Sequence, residues 1–260
     1  MILSWLKQRR RRKLIEQPFP EAWIETIHRN VAYFSYLDDA EQARARDILR
    51  VIVAEKNWEG CGGLTMTDEI KVTIAALVSI MLLGLEHDYF SNVLSILVYP
   101  AGFEVPRRRE VGGLELDEPN DLLGEAWYRG PVILAWKEVR DEGRHPHSGR
   151  NLVWHEFAHQ LDMLDRSIDG TPPMRSREQR QRWAEVMTAE FEQLKDDAQH
   201  HRPGLIDYYG ATNEAEFFAV VTECFFDLPG ELKEDHPELY SLLADYFGQD
   251  PARRVPWDEA

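Results

Sequence analysis

Apolar residues recur at helical spacing through residues 21–57. Ala22, Ile24, Ile27, Val31 and Phe34 fall on one face, and Ala45, Ile48, Leu49, Ile52 and Val53 on another. Gly60 to Gly63 break the pattern, and Thr67 can cap the next helix, with Asp68 and Glu69 in its acidic first turn. The longest apolar stretch runs from Ile74 to Leu85, interrupted only by Ser79 and Gly84. A bilayer span needs about 20 apolar residues, so this stretch predicts a buried core helix. The pattern then turns strand-like, first from Leu94 to Pro100 and again in the β-branched run Gly130 to Trp136. Turns are expected at Gly112-Gly113 and Pro119-Asn120 between the two, and a polar loop from Gly143 to Gly149 follows. Helical patterning returns over 151–166, Arg177 to Gln199, Asn213 to Phe226 (stopped at Pro229-Gly230) and Pro237 to Phe247. The expected class is α+β, helix-rich, with a small central β-sheet. Residues 1–20 are basic and read as a solvated N-terminal arm or short helix outside the core. The main domain covers 21–248 and a tail 249–260.

Composition adds little to the fold but narrows the function. The 260 residues carry a net charge of −16, which disfavours nonspecific binding to nucleic acid or to anionic membrane. Two cysteines, Cys61 and Cys224, lie far apart, which argues against a disulfide framework and excludes zinc held by cysteines alone. The N-terminal order, apolar Met1 to Leu6 before a basic run from Lys7 to Lys13, is the reverse of a secretory signal. A cytoplasmic location with no membrane span is the expectation, although Trp5 and the arginines also suit a membrane surface.

The chemistry concentrates in Asn151-Leu-Val-Trp-His155-Glu156-Phe-Ala-His159-Gln-Leu-Asp162. In a helix, His155 and His159 share a face and can converge on one tetrahedral ion, with Glu156 placed to deprotonate a water there. The motif alone arises by chance in about 3 % of chains of this composition, so context matters. Asn151 is a good helix cap, and Leu152, Phe157, Leu161 and Leu164 supply packing. The strand candidate before this helix stands where related zinc peptidases, by analogy, pair with extended substrate. A catalytic site needs a third ligand. Asp165 stands six residues after His159, but that geometry needs a glycine where Asp162 stands, and Asp162 better suits a supporting role. On the later helix Glu216 and Glu223 share a face with Ala219 and Val220, and carboxylates among apolar neighbours are costly unless paired or on metal.

Three stretches taken together, Gly130 to Trp136, His155 to Asp162, and Tyr209-Gly-Ala-Thr-Asn-Glu-Ala-Glu216-Phe-Phe-Ala219, closely resemble the Mlc titration factor A family. The likeness extends over most of residues 20–247. The family comprises bacterial zinc peptidases of the gluzincin type, related at the active site to lethal factor. The resemblance implies a zincin-like metallopeptidase domain binding one Zn2+ through His155, His159 and Glu216. It makes Glu156 the general base and Tyr209 the catalytic tyrosine, with Tyr208 the alternative if the local turn differs. It further implies aminopeptidase-like cleavage of short peptides and binding of the glucose-linked transcriptional repressor Mlc. Glu223 can support a ligand histidine through its second nitrogen. His145 and His147 read as a solvated loop, and His200-His201 as a helix C-terminus. Two other readings stay open: a zinc-containing interaction protein that sequesters a repressor without catalysis, and a structural zinc protein, against which Glu156 argues.

Overall fold

The computed structural model describes residues 2–101 and 130–256, with side chains from Trp5 onward. The turns expected at Gly112-Gly113 and Pro119-Asn120 lie outside the described residues. The chain opens with α1 (Ile2–Ile15), α2 (Glu21–Asn30) and α3 (Asp39–Glu55), followed by a short strand β1 (Asn57–Gly60). Helix α2 stops at Asn30 because Val31 leaves helical geometry, and Ala32–Tyr36 continue as a 3-10 turn. The apolar face read as one helix through Phe34 is therefore two elements. Asp38 closes a reciprocal capping box with Glu41 at the start of α3.

Helix α4 (Asp68–Met81) is the hub. Thr67 caps it as its sequence suggests, and from Val72 to Met81 every residue is buried. A helix apolar on all sides must be surrounded, and this one packs against α2 and α3 on one flank. Beyond it come β2 (Ser95–Tyr99), β3 (Val132–Ala135), α5 (Trp136–Arg144) and α6 (Leu152–Asp162). The three strands form one parallel sheet in the order β1-β2-β3, with Asn57 opposite Ser95 and Ile96 opposite Val132. The strand expected through Trp136 is shorter, because Trp136 already opens α5, which comes between β3 and α6 in the chain. The C-terminal part is α7 (Arg177–His200), α8 (Glu214–Asp227), α9 (Pro229–Asp235) and α10 (Pro237–Phe247). Pro229 does not simply end α8. It takes the first position of α9, where its missing N–H is no loss. The result is a helix-rich α+β fold with a small sheet.

The basic N-terminal segment is a docked helix rather than a solvated arm. Arg11, 2 % exposed, pairs with Glu55 of α3 at 2.7 Å and with Asp88. Among the described residues no helix is long and apolar enough to cross a membrane.

Candidate metal centre

Helix α6 is held from three directions, and each contact has a local cause. At its start the Asn151 side chain accepts from the Trp154 amide at 3.2 Å. Two carboxylates take two further amides: Glu223 accepts from Asn151 N–H at 2.6 Å and Glu142 from Leu152 N–H at 2.7 Å. Such amides have no partner inside the helix, and acidic groups there also suit its dipole. On the inner side Val153, Trp154, Phe157, Ala158 and Leu161 are buried. The Trp154 indole donates to the Leu77 carbonyl of α4 at 3.0 Å, and Phe157 meets Phe90 with ring centroids 4.8 Å apart. At its end Asp162 is fully buried and accepts from the Gly170 amide at 2.9 Å.

That anchoring leaves His155 and His159 on the free face, ring centroids 4.9 Å apart and nearly perpendicular. Helix α8 runs alongside and brings Glu216 to them. Its Oε2 lies 3.1 Å from His155 Nε2 and 3.5 Å from His159 Nε2. Ligand atoms around a tetrahedral zinc stand about 3.4 Å from one another, so the three donors are spaced for one ion. They are also the sole group of three or more His, Cys, Asp or Glu suited to a metal among the described residues. The donor set of two imidazoles and one carboxylate fits zinc and leaves a fourth position for substrate or water.

The surrounding groups orient this set. About two turns further along α8, Glu223 Oε1 stands 2.7 Å from His155 Nδ1. A carboxylate on the far nitrogen fixes the tautomer that turns the Nε2 lone pair toward a metal. Glu223 thereby ties His155 and the helix cap to one side chain. Burial pulls the His155 imidazole down, but hydrogen bonds with Glu216 and Glu223 outweigh it and push it up to about 10. Burial likewise pushes the Glu216 carboxyl up, but its bonds with His155 and His159 win and hold it well below the usual carboxylate range. The two shifts have one cause, the attraction between the imidazoles and the carboxylates packed against them. Burial raises the Glu156 carboxyl, opposed by the two neighbouring histidines.

Tyr209 sits in a 3-10 turn, Tyr208–Ala211, packed on α8. Asp207 starts that turn by accepting from the Tyr209 amide at 2.9 Å, and it also pairs with Arg150, the residue before the cap of α6. The Tyr209 ring lies 6.0 Å from that of His155 and remains 43 % exposed, so it faces the open side of the histidine pair. Tyr208 points elsewhere, its hydroxyl donating to the Arg202 carbonyl. Asp165 is turned away, accepting from Ser167 N–H and facing Arg180. His145 folds back on the Asp141 carbonyl and His147 meets Tyr36. Glu142, Asp227 and Arg150 were not foreseen. Asp227 accepts from the amides of Ser148 and Gly149 at 2.8 and 2.7 Å, shaping the loop into α6. Nothing in the local sequence marks these residues, since their partners are distant in the chain.

A family model for the glucose-regulated metallo-peptidase M90 matches residues 5–248, nearly the whole chain. The chain belongs to the glucose-regulated metallopeptidase M90 family. Membership implies a bound metal, usually zinc, and peptide substrates. An uncharacterized protein of Synechocystis is 34 % identical, the match covering 96 % of this chain and 90 % of the relative. The Mlc titration factor A of Serratia proteamaculans is 33 % identical over 86 % of each chain. That of Edwardsiella ictaluri is 32 % identical over 92 % of this chain and 89 % of its own.

Proposed function

We propose that this M90 member is a zinc-dependent peptidase, aminopeptidase-like in preference, with His155, His159 and Glu216 as metal ligands, Glu156 as general base and Tyr209 as the catalytic tyrosine. The observation that carries this reading is the convergence of His155 Nε2, His159 Nε2 and Glu216 Oε2, all within 4.8 Å of one another. When bound, zinc supplies Lewis acidity toward the substrate carbonyl and the attacking water. Glu156, next to the first histidine and half-buried beside the cluster, takes the proton of that water and later delivers it to the leaving amine. Desolvation raises its carboxyl, which makes it a stronger proton acceptor. The Tyr209 hydroxyl donates to the oxyanion that develops on the carbonyl oxygen. Glu223 keeps His155 in the ligating tautomer throughout.

Hydrolysis of aminoacyl chromogenic substrates by the wild type and Glu156→Gln, at matched zinc content, tests the reading. Activity in the wild type, with loss of roughly a hundredfold or more in a variant that still holds zinc, is the expected result. Equal activity in both removes Glu156 from the mechanism. Zinc retention without hydrolysis in either favours a second role, which the names of the Serratia and Edwardsiella relatives support: sequestration of the repressor Mlc. An acidic surface suits a basic DNA-binding domain. That role predicts that Glu156→Gln binds purified Mlc as the wild type does.

A further inference from the structure

Helix α1 has no part in the peptidase chemistry, yet it is held in a defined orientation. Lys7 reaches Asp88 at 2.9 Å. Arg11 grips Glu55 through two nitrogens, at 2.8 and 2.7 Å, and stacks 4.3 Å above the Tyr89 ring. Arg50 of α3 donates to the carbonyls of Leu14 and Ile15 at 2.8 and 3.3 Å and to that of Gln17, closing the C-terminal end of α1. Lys7, Arg11 and Leu14 are spaced i, i+4, i+7, so they fix one face of the helix against the domain. The opposite face then carries Trp5, Arg9, Arg12 and Lys13 outward. All four are exposed, and none of these three cations makes an ion pair among the described residues.

The outward face joins two properties that seldom coincide on a soluble surface. Trp5 is 59 % exposed, Leu6 47 % and Leu94 58 %. Leu6, Leu94 and Arg10 line one cleft between α1 and the loop before β2, so the apolar residues continue onto the domain itself. Arg9 lies 5.4 Å over the Trp5 ring. Charge is also strongly segregated. Helix α1 holds six of the chain's 30 lysines and arginines and none of its 46 aspartates and glutamates. At physiological salt, fields fade over about 8 Å, so the acidic remainder is screened from a surface that α1 touches.

We propose that the outward face of α1, with Leu6 and Leu94 beside it, docks the protein peripherally onto anionic phospholipid membranes. Tryptophan and leucine next to lysine and arginine match the boundary between acyl chains and headgroups, where an aromatic ring sits at headgroup depth and cations meet phosphate. Nucleic acid would use the same cations but gives no reason for the two exposed leucines. The docked helix needs no folding on contact, so binding does not carry an ordering cost.

The test is co-sedimentation of the full chain, tagged only at its C-terminus, with neutral phosphatidylcholine vesicles and with mixed phosphatidylglycerol–phosphatidylcholine vesicles. Retention on duplex DNA is measured in parallel. The wild type is expected to sediment with the anionic vesicles alone and to be released as salt rises. Arg9→Gln/Arg12→Gln/Lys13→Gln should weaken that partitioning roughly a hundredfold, about fivefold per charge. Trp5→Ala/Leu6→Ala should weaken it at least about tenfold while leaving any DNA retention unchanged. Both variants spare Lys7, Arg11 and Arg50, so wild-type melting is expected of each. Absence of wild-type sedimentation, equal sedimentation with neutral vesicles, or wild-type sedimentation by Trp5→Ala/Leu6→Ala overturns the proposal. DNA retention lost with the charges alone, without vesicle binding, would instead assign the face to nucleic acid.

Discussion

Gly170→Ala should damage the metal centre from a position that touches no ligand. Gly170 has φ of +71°, a backbone region that costs an L-residue about 1–2 kcal/mol. It is also knotted into three helices. Its amide donates to Asp162 at the end of α6, its carbonyl accepts from the Trp183 indole of α7 at 3.0 Å, and its α-carbon rests against Glu214 at the start of α8. A Cβ built there stands 2.8 Å from the Glu214 carbonyl carbon and closer still to its oxygen. Relief requires roughly 1 Å of movement, which adds about 1–3 kcal/mol of overpacking. The expected loss of stability is thus about 2–5 kcal/mol. Glu216 is two residues beyond Glu214, so the displacement falls on a proposed ligand, and an error of about 1 Å there can cost a hundredfold in rate. Thermal melting, with zinc affinity measured by competition with a chelating dye, reads both effects. A variant with wild-type melting and wild-type zinc affinity would show that the contact between Gly170 and Glu214 neither strains the fold nor positions α8.

Glu223→Gln keeps an acceptor for the Asn151 amide but presents an NH2 group to His155 Nδ1. The wrong tautomer follows, and zinc affinity should fall about 10–100-fold with little change in melting; unchanged affinity by the same dye competition would remove Glu223 from the orienting role. Tyr209→Phe should lower kcat by roughly one to three orders of magnitude while KM moves little, as checked by steady-state kinetics, because the hydroxyl acts on charge that develops only in the transition state. Glu142 is a pH prediction. Burial, opposed by the Leu152 amide, pushes its carboxyl up to about 7 from 4.5. Folding favours the protonated acid, so this group's stabilising contribution is full below pH 4.5 and is lost as pH rises through 7. Glu142→Gln should remove that slope from denaturant-measured stability between those limits; an unchanged slope would refute the assignment.

How much of this was readable in advance depends on whether a residue's role is set by near or distant neighbours. The caps Thr67 and Asn151 were legible because each acts on an amide three residues away. The histidine pair was legible for the same reason, since helical spacing alone puts both on one face. Glu216 and Tyr209 needed the family resemblance, because their approach depends on how α8 lies against α6. Strand β1 was missed. Its residues Asn-Trp-Glu-Gly show no alternation of apolar side chains, and it exists through backbone pairing with β2. Helix α5 was missed between a strand signal and a loop signal. The docking of α1 was misread for an electrostatic reason. A run of arginines suggests solvent until the partners of Arg11 are known, and these lie 44 and 77 positions away.

The two helices that carry the proposed ligands are fastened at both ends, by Glu223 to the cap of α6 and by Gly170 between Asp162 and the start of α8. The donor atoms are consequently set by the hydrophobic core and not by the ion. In a zinc finger, metal binding and folding are one event, and withdrawing the ion abolishes the structure. Here the conformational entropy of assembling three ligands is lost when the chain folds. Metal exchange then becomes a local, reversible event on a standing scaffold, and the availability of zinc can set the fraction of competent molecules without drawing on the folding equilibrium.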